Sequence, residues 1–129
     1  MSETIVYVDR SDIKEGRLDE LKTAIVALAS FIQEHNPRIL EYGIFIEEET
    51  GRMTVVGIHP DAEALERHLE IGREEFRKVS DLIDLRSIEV FGEPSQEVMQ
   101  LLMEKANMLG ANGTVAVHQA TEGFTRLPR

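Results

Sequence analysis

The sequence predicts an α+β fold: a ferredoxin-like β-α-β-β-α-β unit followed by one further α-β pair. Three observations predict it. Short β-branched and aromatic runs alternate with stretches of helical apolar spacing in that order along the chain. Turn signals separate the runs, at Asn36-Pro37, at "ETGR" and at "GANG". The strand runs also carry consecutive apolar residues instead of alternating ones, as in Ile5 to Val8, Ile44 to Ile46 and Val115 to Val117. A sheet with one solvated face alternates, so both faces of this sheet are expected to be covered.

The elements follow in order. "TIVYVDR", Thr4 to Arg10, reads as the first strand. Ser11 or Asp12 is placed to cap the next helix, with Asp12 and Glu15 at capping-box spacing. Leu18, Leu21, Ile25, Leu28 and Ile32 form one helical face, which stops at Asn36-Pro37 because the residue before proline avoids the α region. Arg38 to Glu48 is the second strand and Met53 to His59 the third, joined as a hairpin through Gly51. Pro60-Asp61 opens a second helix with the stripe Leu65, Leu69, Gly72, Phe76 and Val79. Leu85 to Gly92 is a fourth strand. Ser95 caps a third helix through Val98, Leu102, Ala106 and Leu109, closed by Gly110, and Gly113 to Ala120 is a fifth strand.

The whole of residues 1–129 reads as a single domain, with a core over about residues 3–92 and a C-terminal αβ extension over about 93–129. The helices of a ferredoxin-like unit lie on one face of its sheet. The economical cover for the other face is a second copy of the chain, sheet against sheet. The alternative is that the third helix covers it.

Composition narrows the partners. A net charge of −10 disfavours nucleic acid and anionic membranes, both of which need a basic surface. The acidity is spread along the chain and reads as solvated helix faces. No signal peptide is legible and no apolar run approaches the roughly 20 residues that span a bilayer, so a cytoplasmic location is expected. The absence of cysteine removes thiolate chemistry, iron–sulfur clusters and cysteine-ligated zinc.

The candidate residues for chemistry are few. "HPDAEALERHLE" carries His59 and His68, two of four histidines. His68 falls one turn from Leu65 and Gly72, at the edge of the apolar stripe. An imidazole titrating near neutrality suits proton movement to or from a bound substrate; a packed histidine with a backbone partner is the structural alternative. Tyr42 shares a face with Ile44 and Ile46 and would offer one hydroxyl to a ligand, or serve as a core aromatic. His59 ends the third strand, where strand-to-helix junctions present ligands, or is a solvent-exposed residue before Pro60. His118, with apolar neighbours, reads as interface packing. Met99, Met103 and Met108 read as adaptable core or dimer contacts. No metal-binding spacing surrounds His68, and no catalytic triad, phosphate loop or carboxylate pair is defensible.

The segment "NPRILEYGIFIEEETGRMTVVGIHPDAEALERHLE" resembles the antibiotic-biosynthesis-monooxygenase (ABM)-like dimeric α+β barrels. A proline-containing turn leads to a strand with an aromatic, a hairpin, a third strand and a helix start with Asp61, Glu63, Ala64, Leu65 and His68. The likeness covers about the first ninety residues. The chain departs from the family in having no tryptophan, with Gly57-Ile58-His59 where an aromatic is usual. That absence argues against the haem-degrading branch. The resemblance implies a homodimer whose sheets form a barrel, with a pocket in each protomer for a small apolar or aromatic ligand. It implies a cofactor-free monooxygenase, with no metal, haem or flavin, acting on a phenolic or quinol-type substrate. His68 would be the catalytic group and Tyr42 and His59 substrate-binding groups. The competing reading is a non-catalytic homodimer that binds or senses a small ligand.

Overall fold

The computed structural model describes residues 3–127. Strands β1 (Ile5–Ile13), β2 (Glu41–Glu47), β3 (Arg52–His59), β4 (Ile83–Phe91) and β5 (Thr114–His118) form one five-stranded sheet in the order β2-β3-β1-β4-β5. All neighbours are antiparallel except β4 and β5, which are parallel. Helices α1 (Leu18–His35), α2 (Ala62–Val79) and α3 (Gln96–Leu109) connect them, and a single 3-10 turn follows α2. The α+β ferredoxin-like class with a C-terminal αβ addition is therefore the fold observed.

The local reasons are visible in the caps. Asp61 accepts the Ala64 N–H at 2.8 Å, and Ser95 accepts the Val98 N–H at 3.2 Å. Each satisfies one of the amides that a helix start leaves without an intrahelical partner. Gly51 turns the β2–β3 hairpin with φ +67°, a region glycine enters without a Cβ clash.

The boundary between β1 and α1 departs from expectation. Ser11 and Asp12 do not cap α1. They continue β1, where Ser11 lies opposite Met53 and Leu85, and Asp12 opposite Arg52 and Asp84. Two flanking strands offer a ladder of backbone hydrogen bonds, which outweighs one side-chain cap. The chain then turns at Gly16, and α1 starts after Arg17 without a side-chain cap.

The core lies between the sheet and the helices. β1 sends Ile5 and Tyr7 into it, and β4 sends Leu85, Ile88 and Val90. They meet Leu21, Leu28 and Ile32 of α1, Leu65, Leu69 and Phe76 of α2, and Val98, Leu102 and Leu109 of α3. Helix α3 thus packs beside α2 on the same side of the sheet. The alternative in which it covers the opposite face is overturned: its apolar stripe matches the gap left beside α2 over β4. The opposite face carries half-buried Val6, Val8, Val56 and Ile58, together with exposed Phe45 and Phe91. No described helix is long and apolar enough to cross a membrane.

Candidate functional site

Polar side chains collect at the centre of the core. β3 ends with His59 facing the helices, because residues at every second position of a strand share a face and Met53 and Val55 are already buried there. α2 places His68 inward as part of its apolar stripe, one turn beyond Ala64 and Leu65. The His59 and His68 ring centres are 5.0 Å apart. Tyr42 of β2 lies 5.5 Å from His68 between ring centres, and Phe76 is at the same distance on the other side. Gly57 stands opposite Tyr42 in the sheet. A Cβ at Gly57 would come within 3.0 Å of His59 Nε2, so the glycine makes room for the imidazole.

His68 is held by Asn36, at the end of α1. The Asn36 Nδ2 amide donates to His68 Nδ1 at 2.9 Å. With Nδ1 accepting, the neutral ring carries its proton on Nε2. His59 is the opposite case: it is fully buried, and neither ring nitrogen has a hydrogen-bond partner among the described residues.

Burial decides the charge of both rings. Desolvation, with a smaller push from the Lys105 charge, lowers His59 to about 4. The same two causes, followed by His59 itself, hold His68 well below its ordinary value. The expectation that His68 titrates near neutrality is therefore overturned. An imidazolium loses its hydration in this core, so at neutral pH both rings are uncharged hydrogen-bonding groups. Burial likewise raises the Tyr42 hydroxyl, with a further contribution from Asp9.

A second, charged cluster adjoins the first. Tyr7 donates its hydroxyl proton to Asp9 Oδ2 at 2.5 Å, and Lys105 Nζ of α3 is 3.7 Å from that oxygen. The ammonium lies 3.8 Å from the centre of the Phe76 ring and 4.6 Å from that of Tyr7, within cation–π range. Burial raises the Asp9 carboxyl and lowers the Lys105 amine, while their mutual attraction opposes both shifts. Phe76 is the shared wall between the clusters. Its ring folds back along α2 because Gly72 has no Cβ: one built there would lie 2.3 Å from the ring.

His59, His68 and Tyr42 are thus brought together. His118 is not among them. It lies exposed on the other face of the sheet, stacked on Phe91 with ring centres 4.7 Å apart and 3.2 Å from Glu89 Oε1. Asn36, Asp9 and Lys105 were missed from the sequence, although a signal existed. Asp9 falls in the inward alternation of Ile5, Tyr7 and Ser11, and Lys105 falls in the α3 stripe between Leu102 and Leu109. Polar residues at core-facing positions were the clue. Among the described residues, no group of three or more histidine or carboxylate side chains is arranged to hold a metal ion.

No family profile matches the sequence and no curated protein matches it. Solved structures do match the fold. MupZ from Pseudomonas fluorescens is similar over 97% of this chain and 96% of its own, with a TM-score of 0.75 at 21% identity. SnoaB, a cofactor-independent oxygenase from Streptomyces nogalater, matches 74% of this chain and 97% of its own, with a TM-score of 0.61 at 14% identity. A Caulobacter crescentus protein classed as a candidate antibiotic biosynthesis monooxygenase covers 73% of this chain and 92% of its own, with a TM-score of 0.63 at 16% identity. About a quarter of this chain therefore has no counterpart in the latter two, whereas MupZ spans nearly all of it. With the element order, the sheet order and these likenesses together, the chain has the fold of the ABM-like α+β proteins.

Proposed function

We propose that this chain is a cofactor-independent monooxygenase of a small aromatic or phenolic, quinol-type substrate, held between the sheet and the helices. The observation that carries the reading is His59. A fully buried imidazole with both nitrogens unpartnered costs the stability of at least one hydrogen bond. A ligand hydroxyl that reached it would remove that cost. Its neighbour His68, protonated on Nε2, would donate to the same oxygen, and Tyr42 would line the ring. A substrate oxyanion forming beside the pair would raise the pKa of the nearer imidazole, since an opposite charge favours the protonated form. The electron-rich ring would reduce oxygen itself, one atom staying in the product as a carbonyl oxygen and the other leaving as water. The fold likeness to SnoaB, a cofactor-independent oxygenase, supports this chemistry.

The test is oxygen uptake across a panel of quinols and polycyclic phenols. His68→Ala should leave the circular dichroism spectrum unchanged and lower turnover about 10²–10⁴-fold, the usual contribution of a positioned acid–base group. His68→Gln keeps some hydrogen bonding but carries no proton, and should be comparably slow. Turnover surviving in both variants would sink the role of His68.

A second reading has an observation of its own. His68 is only 1% exposed and packs against Phe76, as expected of a binding protein that opens rarely. Saturable ligand binding without oxygen uptake would select it. In both readings the chain pairs with a second copy through the apolar face that holds Val6, Val8, Val56, Ile58 and Phe45. Sedimentation at micromolar concentration should give twice the chain mass, and a stable monomer would exclude that arrangement.

A further inference from the structure

Helices α2 and α3 do not close fully over the charged cluster. A cleft of about 90 Å³ lies between them, with Leu69, Phe76, Leu101 and Met108 as its apolar wall. Its charged lining is Arg73, Arg77 and Lys105 against Glu104. Three cations and one anion stand out in a chain whose net charge is −10.

The floor is the informative part. Lys105 is 6% exposed, yet its nearest polar contact is the long ion pair to Asp9 at 3.7 Å. That separation is beyond hydrogen-bond length, and the remaining close neighbours are the faces of two aromatic rings. An ammonium has three donors, and rings do not replace hydrogen-bond acceptors. At the mouth, Arg73 is 3.9 Å from Glu104 and Arg77 is 3.7 Å from Glu74, and both guanidinium groups are more than half exposed. Such loose exposed pairs are weak, about 0–1 kcal/mol, and yield readily to a better acceptor.

We propose that this cleft is a binding site for a small carboxylate with a short apolar body. The carboxylate accepts from Lys105 at the floor, and the apolar part lies against Leu69, Leu101 and Met108. Arg73 and Arg77 draw it in and form the polar rim. The volume suits a single small acid; a cavity of about 150 Å³ holds benzene, so a flat aromatic acid fills this one and projects from its mouth. A carboxylate is favoured over a neutral ligand because three cations line the cleft against one anion, and Asp9 at 3.7 Å leaves donor capacity on the ammonium unfilled. The proposal is independent of the histidine pair, which Phe76 separates from the cleft.

The experiment titrates the full-length protein with benzoate and, separately, with benzyl alcohol, following amide shifts by NMR. Benzoate should shift residues of α2 and α3 around Arg73, Arg77 and Lys105 and saturate at millimolar concentration or below. Benzyl alcohol should bind at least 10-fold more weakly. Arg73→Gln/Arg77→Gln, exposed changes that leave the fold intact, should weaken benzoate about 10-fold and leave benzyl alcohol unchanged. Lys105→Met should abolish benzoate binding where the variant folds. Equal binding of the two probes, no saturation by benzoate in the millimolar range, or unchanged benzoate affinity in the double arginine variant would each overturn the proposal. None of these outcomes touches oxygen uptake by phenols, so the two readings fail separately.

Discussion

The two halves of the buried polar layer differ in how they meet the same problem. On one side of Phe76, His59 and His68 avoid charge: burial pushes both rings to the neutral form, and only His68 is hydrogen-bonded, by Asn36. On the other side, Asp9 and Lys105 bring opposite charges into the same core, with Tyr7 donating to the carboxylate. The difference shows that a polar group survives in this core either by losing its charge or by facing an opposite one. Between these two clusters, His59 is the member that has neither a hydrogen bond nor a charged partner in contact among the described residues.

The largest effect should come from splitting the charged half. Asp9→Asn or Lys105→Met removes one member of a buried pair and should cost about 3–5 kcal/mol in urea unfolding. Asp9→Leu/Lys105→Met together should restore much of that loss, since an apolar pair has no desolvation penalty. Singles that cost under 1 kcal/mol would mean that the pair is solvated, and the contrast with the histidines would disappear.

Acid should break the neutral half next. The folded His59 value, about 4, lies below its ordinary 6.5, so the unfolded chain binds the proton first as pH falls. Its contribution is therefore full above pH 6.5 and is lost progressively between 6.5 and about 4. The loss should be of the order of 3 kcal/mol. His68, shifted in the same direction, adds to it over a window that also opens at its ordinary value. Asp9, whose carboxyl is raised, acts in the opposite sense in acid. The measurement is accordingly a difference: unfolding free energy against pH for the native chain and for His59→Gln. Parallel curves from pH 7 to 4 would show that His59 is not desolvated.

A smaller effect is expected at His68. Its replacement by alanine leaves the Asn36 amide without its acceptor and should destabilise by about 1–3 kcal/mol. His68→Gln, retaining an acceptor near that position, should recover part of this. The smallest effect belongs to an exposed pair, Arg86 with Asp12 at 2.9 Å. Arg86→Gln should change stability by about 0.2–1 kcal/mol, less in high salt. A cost near that of the Asp9–Lys105 pair would remove the link between burial and energy on which the comparison rests.

Much of the helical and strand order was legible in the residues. The α2 stripe, its Asp61 cap and the Ser95 cap of α3 are local patterns, and local patterns survive folding when the tertiary structure does not compete. They failed at Ser11 and Asp12, where a cap was legible but two neighbouring strands were not. For the site, His68 and Tyr42 were legible as polar or aromatic groups on apolar faces. Lys105 was hidden inside a helix that also carries Gln100, Glu104 and Asn107. Only its phase with Val98 and Leu102 marked it as inward-facing.

By itself the sequence determined the α+β class, the order of the elements and the inward phase of each helix, because hydrophobic periodicity and capping are properties of short segments. Only the tertiary structure decided which polar groups meet: Asn36 with His68 from α1 and α2, Asp9 with Lys105 from β1 and α3, and Phe76 between them over Gly72. Those contacts join residues tens of positions apart, and no local pattern encodes their distance. The ionisation of the site was decided there too, since a histidine's charge depends on the solvent it loses, and that loss exists only once sheet and helices have packed together.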